Sequence, residues 1–180
     1  MSDLDDLLRR NAAFAATDAK DHLPDVPFVP NRQLYVITCL DPRVDPAFIF
    51  DLSYGDAIIT RNLGGRVTPS VVQELAWISY LHEVKAPDAG WFDVAVIHHT
   101  DCGRGLDDDA LRAGFAERGM AVANLLDTAV FDPTKTVPVD VDTLLNTPQI
   151  SPKIKISGYG FDVATGLLRT LVPPRSSDDG

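Results

Sequence analysis

Apolar and polar positions alternate along the chain in blocks that predict strands and helices in turn. Three short apolar runs rich in β-branched residues predict buried strands, at residues 34–39, 57–60 and 92–98. Residues 68–84 have helical spacing of apolar positions, and Pro69 suits the first turn of that helix. Weaker patterns predict helices at 3–19, 45–52, 107–118 and 121–129, and late strands at 153–158, 160–164 and 167–171.

The alternation of strands with helices predicts an α/β fold whose central sheet is mainly parallel and flanked by helices. The apolar stripe of Leu4, Leu7 and Leu8 precedes a proline-rich connector and indicates an arm that reaches away from its own core. We therefore expect three parts: an N-terminal helical arm with its connector at 1–30, an α/β domain at 31–172, and a polar tail at 173–180.

Composition narrows the range of partners. A chain of 180 residues is about one domain, and its formal net charge of -10 does not suit nucleic acids or anionic membranes, which reward basic surfaces. No apolar run reaches the roughly 18 residues that a membrane-spanning helix needs. The acidic opening of the sequence does not resemble a secretory signal, so we expect a cytoplasmic protein without nucleic-acid or membrane partners.

The two cysteines, Cys39 and Cys102, could form a disulfide, act as small buried hydrophobic residues, or bind a metal as thiolates. A cytoplasmic setting disfavours the disulfide. Cys39 ends the first strand, while His99 and Cys102 follow the third strand. Because ligands bind beyond the carboxyl ends of parallel strands, we expect these three side chains to meet at one edge of the sheet.

Two thiolates and one imidazole suit Zn²⁺, and three protein ligands leave one coordination position open, as in catalytic sites. His98 could in principle be a fourth ligand. It adjoins His99 in a strand, however, where successive side chains point to opposite faces, which favours a packed or hydrogen-bonded role.

Asp41 and Arg43 lie two residues apart directly after Cys39. In an extended segment both side chains would project to the same side as Cys39. A carboxylate paired with a guanidinium stays ionised and can accept a hydrogen bond from a zinc-bound water. The alternative is an ordinary surface ion pair.

Together these segments resemble a known family. The pattern Cys39-x-Asp41-x-Arg43, followed sixty residues later by His99-x-x-Cys102-Gly103, resembles the β-class carbonic anhydrases. Residues 61–65 (RNLGG) resemble the family's turn after the second strand, and residues 158–166 resemble the last strands of its short members. The resemblance runs from about residue 35 to residue 170.

The resemblance implies that Cys39, His99 and Cys102 hold a zinc ion, and that Asp41 and Arg43 orient a zinc-bound hydroxide that attacks carbon dioxide. The alternative role that the resemblance leaves open for Asp41 is to bind the zinc itself in a closed state. Substrate contacts would fall at the glycines of the two motifs, Gly64, Gly65 and Gly103. A homodimer or higher homo-oligomer is expected, with the N-terminal helix packed on the partner.

Two other functions stay open. Pro42, Ser53 and Arg104 depart from the family pattern around the mouth of the pocket, which leaves carbonyl sulfide or carbon disulfide as alternative substrates for hydrolysis at the same zinc. A non-catalytic zinc-stabilised binding or regulatory module is the third hypothesis. The intact Asp41 and Arg43 pair argues against it, because a structural zinc needs neither an open position nor such a pair.

Overall fold

The computed structural model describes residues 3–23, 29–103, 106 and 108–179. Five strands form one sheet in the order β2-β1-β3-β4-β5. The first three neighbouring pairs are parallel, and only β4 and β5 pair antiparallel, which confirms the expected α/β fold. The strands are β1 (Leu34–Cys39), β2 (Ala57–Asn62), β3 (Asp93–His99), β4 (Ile156–Asp162) and β5 (Leu167–Arg175).

Six α-helices are found in the described part of the chain, and short 3₁₀ turns follow β1 and β2. The helices are α1 (Asp3–Ala15), α2 (Pro46–Ile49), α3 (Pro69–Lys85), α4 (Asp109–Glu117), α5 (Val122–Thr128) and α6 (Pro133–Leu145). The first five were expected, and α6 was not. The predicted fourth helix began at Asp107, which lies outside the described residues; Asp108 instead caps α4 by accepting from the N–H groups of Ala110 and Leu111.

The late strands differ from their prediction. The two segments expected at 153–158 and 160–164 are one strand, β4, which passes through both Gly158 and Gly160. Gly158 does not interrupt the strand. It is glycine because α6 packs directly over it: a Cβ there would stand 2.3 Å from Val137 Cγ1. The strand β5 continues to Arg175, so the polar tail expected from residue 173 begins inside a strand.

The two faces of the sheet carry different cores. One face packs against α3 and α6 through a large apolar cluster that includes Ile37, Val96, Leu75 and Val141. The opposite face carries a smaller cluster, in which Val36, Ala95, Ile97 and Phe161 meet Val44. Strands β1 and β3 are buried on both faces, which accounts for their nearly continuous apolar sequence. Strand β2 was also expected to be buried, but it lies at the edge of the sheet and is only partly covered.

Helix α1 lies almost bare on this single chain. Leu4, Leu7 and Leu8 are 69%, 55% and 69% exposed, although Phe14 contacts the ring of Tyr54 edge-on at 5.4 Å. Most of the connector after it, residues 24–28, lies outside the described part. Among the described helices, none combines the length and apolar character required to cross a membrane.

Candidate metal centre

The parallel register brings the two predicted ligand segments together. Strands β1 and β3 are direct neighbours and pair in register up to Thr38 and Ile97. Cys39 and His99 are the last residues of these two strands and therefore lie at the same edge of the sheet. Cys102 follows β3 in a tight turn through Asp101, whose φ of 63° is left-handed. The ligand atoms of Cys39, His99 and Cys102 all lie within 4.8 Å of one another. In the part of the chain that the structure describes, these three residues form the one such cluster.

The donor set fits a tetrahedral zinc ion. The sulfurs of Cys39 and Cys102 are 3.8 Å apart, the separation expected when each sulfur lies about 2.3 Å from one tetrahedral ion. His99 Nδ1 donates to the carbonyl oxygen of Thr100 at 2.8 Å, which leaves Nε2 with its lone pair. That Nε2 is buried and, among the described residues, has no hydrogen-bond partner. A buried nitrogen beside two sulfurs is what a metal ligand requires.

The pKa of Cys39 is lowered to about 4. The hydrogen bond from the Cys102 thiol is the main cause, and the Asp41 N–H, 3.4 Å from Cys39 Sγ, adds to it against the effect of burial. The pKa of Cys102 is raised, because it faces the Cys39 thiolate and is itself buried. The contact between the two sulfurs thus favours the thiolate of Cys39, the form in which cysteine binds metals.

Asp41 and Arg43 form a pair, but the segment is not extended as expected. Pro42 starts a 3₁₀ turn over Pro42–Val44, and Asp41 caps it by accepting from the Arg43 N–H at 2.8 Å. The turn brings the guanidinium back over the carboxylate, with Arg43 Nη2 2.7 Å from Asp41 Oδ2 and Nε 3.1 Å from Oδ1. These hydrogen bonds lower the pKa of Asp41 to about 2, and its Oδ2 lies 4.0 Å from His99 Nε2.

Two further residues hold this site together and were missed by sequence analysis. Asp101 accepts from Arg43 Nη1 at 2.9 Å and so ties the two ligand segments to each other. Arg61 donates to the carbonyl oxygens of Cys39 and Asp41 at 3.0 and 2.8 Å, on either side of the exposed Leu40. Both residues stand inside the motifs that carry the resemblance, which is the signal that could have indicated them.

His98 has the hydrogen-bonded role expected for it and lies outside the ligand cluster. It is fully buried, with Nδ1 2.7 Å from the Thr136 hydroxyl and Nε2 3.2 Å from the carbonyl oxygen of Gly65. It thus faces away from the side of β3 on which His99 meets the two sulfurs.

The three glycines predicted to contact substrate all lie next to the ligand segments. Gly64 and Gly65 have φ values of 75° and 66° and are buried in the turn after β2. Gly103 follows Cys102 and packs against the Phe131 ring, where a Cβ would stand 2.7 Å from Cε1. Their contact with substrate stays a prediction. Arg104 lies outside the described residues.

Comparison with known proteins gives one consistent result. The sequence profile of the carbonic anhydrase family matches residues 34–131. Beta-carbonic anhydrase 1 of Mycobacterium tuberculosis is 28% identical over 175 residues, which cover 96% of this chain and 100% of that protein. A carbon disulfide hydrolase of Acidithiobacillus thiooxidans is also 28% identical, over 77% of each chain.

The crystal structure of a carbonic anhydrase from Streptococcus mutans superposes with a TM-score of 0.69 at 30% identity, covering 95% of this chain and 98% of that one. The matched fold and the matched length agree. The chain belongs to the β-carbonic anhydrase family, which also has carbon disulfide hydrolases among its relatives.

Proposed function

We propose that this protein is a zinc enzyme that reversibly hydrates carbon dioxide to bicarbonate. The observation that carries the proposal is the cluster of Cys39, His99 and Cys102 with the Asp41 carboxylate 4.0 Å from His99 Nε2. The full-length match to a beta-carbonic anhydrase supports this substrate over the alternatives, because the carbon disulfide hydrolase match leaves about a quarter of each chain uncovered.

Each residue of the site has a proposed role. Cys39, His99 and Cys102 would hold a zinc ion, which would supply Lewis acidity to make a bound water acidic near neutral pH. Asp41, kept ionised by Arg43, accepts a hydrogen bond from the attacking water and selects its orientation. Arg43 in turn donates to Asp101, which links the carboxylate to the ligand turn after β3.

Arg61 and the glycines complete the proposed site. By donating to the carbonyls of Cys39 and Asp41, Arg61 fixes the backbone between the first ligand and the carboxylate. Gly64, Gly65 and Gly103 pack closely on the Thr128 carbonyl oxygen, the Cys39 backbone and the Phe131 ring, so they would offer a substrate backbone atoms and no side chain. We propose that they form the wall against which the substrate lies.

A second candidate function is hydrolysis of carbon disulfide or carbonyl sulfide at the same centre. The observation that favours it is the similarity to a carbon disulfide hydrolase, at the same 28% identity as the carbonic anhydrase. These substrates share with carbon dioxide a linear shape and an electrophilic central carbon, so the ligands and the Asp41–Arg43 pair serve either reaction equally well.

Assays of one preparation on carbon dioxide, carbonyl sulfide and carbon disulfide decide between the two functions. Stopped-flow measurement of carbon dioxide hydration should give rapid turnover, with sulfide release from carbonyl sulfide and carbon disulfide far slower. The His99→Ala variant, which loses a ligand, serves as the matched control for contaminating activity. Fast sulfide release with slow carbon dioxide hydration would favour the hydrolase. Stoichiometric zinc without turnover of any gas would favour the zinc-stabilised binding module.

We further propose that the protein forms a homodimer or higher homo-oligomer through the arm at residues 1–30. Helix α1 presents Leu4, Leu7, Leu8 and Phe14 to solvent, an apolar surface that its own domain leaves uncovered. Deleting residues 1–20 should therefore lower the number of chains per particle, measured by light scattering as the molar mass divided by the mass of the truncated chain. A truncated protein with an unchanged number of chains and unchanged stability would contradict the role of the arm.

A further inference from the structure

Asp140 is a buried carboxylate on α6, on the opposite side of the sheet from the metal ligands. It is 3% exposed and accepts from Arg66 Nε at 2.8 Å, Arg66 Nη2 at 2.9 Å and the Val67 N–H at 2.9 Å. Carboxylates are rarely buried so fully unless they are paired in this way. The ion pair joins α6 to the segment that directly follows Gly64 and Gly65.

His98 extends this network onto β3. Its Nε2 lies 3.2 Å from both Asp140 Oδ2 and the Gly65 carbonyl oxygen. Because both of these atoms are acceptors, Nε2 carries the proton, and in the neutral ring Nδ1 accepts from the Thr136 hydroxyl at 2.7 Å. Asp140 and Thr136 are one turn apart on α6, so they lie on one face of the helix. That face is hydrogen-bonded both to β3, which carries His99, and to the segment that follows Gly65.

The turn at Leu63–Gly65 is in direct contact with Cys39, the first proposed metal ligand. Gly65 lies so close to β1 that a Cβ would stand 2.6 Å from Cys39 N. A displacement of the turn would therefore move the backbone of Cys39, which carries the first ligand sulfur.

We propose that Asp140 is a positioning residue for the metal centre. Through Arg66, the Val67 N–H and His98, it fixes the turn at Leu63–Gly65 and, through the close contact of Gly65 with the Cys39 backbone, the position of the first ligand. The inference rests on the proposed zinc site. Groups that hydrogen-bond metal ligands from outside the coordination sphere commonly change metal affinity by about 10- to 100-fold.

Asp140→Asn tests the proposal because it keeps the size of the side chain but removes the charge and one acceptor. Asp142→Asn is the matched control, since Asp142 lies two residues further along the same helix, half-exposed, and pairs with Arg175. Zinc affinity is measured by competition with a chromophoric chelator, and the sulfur-to-cobalt charge-transfer bands are recorded on cobalt-loaded protein. We expect Asp140→Asn to weaken zinc binding about 10-fold or more and to shift those bands, with Asp142→Asn unchanged.

Arg66→Lys is the second variant, because it removes the two-pronged contact while Val67 and His98 still support Asp140, so its fold is kept. It should weaken zinc binding in the same direction by a smaller factor. If wild-type protein binds zinc and both folded variants match it in affinity and cobalt spectrum, the positioning role is overturned. If Asp140→Asn does not fold, Arg66→Lys decides by the same two measurements. Wild-type protein that binds no zinc would refute the proposed site itself, a result distinct from the first.

Discussion

His98 and His99 are neighbours on one strand, yet their surroundings differ in every respect that matters for chemistry. Both rings are fully buried. His98 has hydrogen-bond partners at both nitrogens, from α6 and the turn after β2. His99 has one nitrogen bound to a backbone carbonyl and the other beside two sulfurs. The alternation of side chains along a strand therefore separates a histidine with two hydrogen-bond partners from one placed to bind a metal, and residue type alone does not.

The strongest test of this comparison exchanges each histidine for alanine. His99→Ala should lose stoichiometric zinc and nearly all activity while keeping its fold, because it removes one of three ligands. His98→Ala should keep zinc at saturating concentration but unfold more easily by about 2 kcal/mol, because buried acceptors lose their donor. Zinc content by atomic emission and thermal unfolding read the two effects separately. Equal zinc loss in both variants would show that the two residues are not distinct in role.

The Asp41 carboxylate should have the next largest effect. Asp41→Asn can present an N–H donor where the carboxylate accepted, so activity should fall by about 10²-fold while zinc is retained. Arg43→Ala should lower activity in the same direction. Stopped-flow rates with parallel zinc analysis check this. Full zinc content with wild-type activity on carbon dioxide and on carbonyl sulfide would contradict a catalytic role for the pair.

The hydrogen bonds that Asp140 accepts, including that from His98, should make the free energy of unfolding depend on pH in acid. Burial would raise the pKa of Asp140, but hydrogen bonds from His98, Arg66 and Val67 outweigh it and lower the pKa to about 2. A lowered folded-state pKa stabilises the protein above the unfolded value near 4, and this contribution is lost as pH falls through about 2. The stability difference between wild type and Asp140→Asn should thus shrink by about 2 kcal/mol across that window, as urea unfolding at several pH values would measure. A difference that stays constant with pH would mean that Asp140 does not titrate as described.

The tie between Asp101 and Arg43 should have the smallest effect. The pair is partly exposed, and exposed ion pairs contribute about 0.2–1 kcal/mol. Asp101→Asn, which keeps the size and the left-handed turn tolerance of the residue, should lower activity by less than about 5-fold and leave zinc content unchanged. Kinetic assays of the Asp101→Asn and Asp41→Asn variants side by side compare how much each carboxylate contributes to activity. A loss as large as that of Asp41→Asn would make Asp101 an equal partner in catalysis.

Much of the metal centre could be predicted from the sequence because it depends on local signals. Buried parallel strands read as apolar runs, and such strands present their carboxyl ends to one edge, so the positions of Cys39, His99 and Cys102 followed from two strand assignments. The side of β3 that His98 faces followed from the period of two. The Asp41–Arg43 pairing was also predicted, although the 3₁₀ turn that forms it was not, because Pro42 starts such a turn as readily as it extends a strand.

The residues behind the site could not be predicted because their roles depend on distant contacts. Helix α6 carries Pro138 and several β-branched residues, which disguise its helical pattern, although Asp132 and Pro133 form a usable start signal. Asp140 reads as a solvent-facing acid. Its burial depends on Arg66, 74 residues earlier in the chain, and no local pattern reports a pairing over that distance.

Zinc K-edge X-ray absorption on the purified wild-type protein tests the central claim most directly. The account predicts one zinc per chain, with two sulfur ligands at about 2.3 Å and nitrogen or oxygen ligands at about 2.0 to 2.1 Å. The His99→Ala protein, prepared alongside, should lack this signal at equal protein concentration. A wild-type protein without zinc, with a Cys39–Cys102 disulfide, or with zinc bound only by nitrogen and oxygen would contradict it.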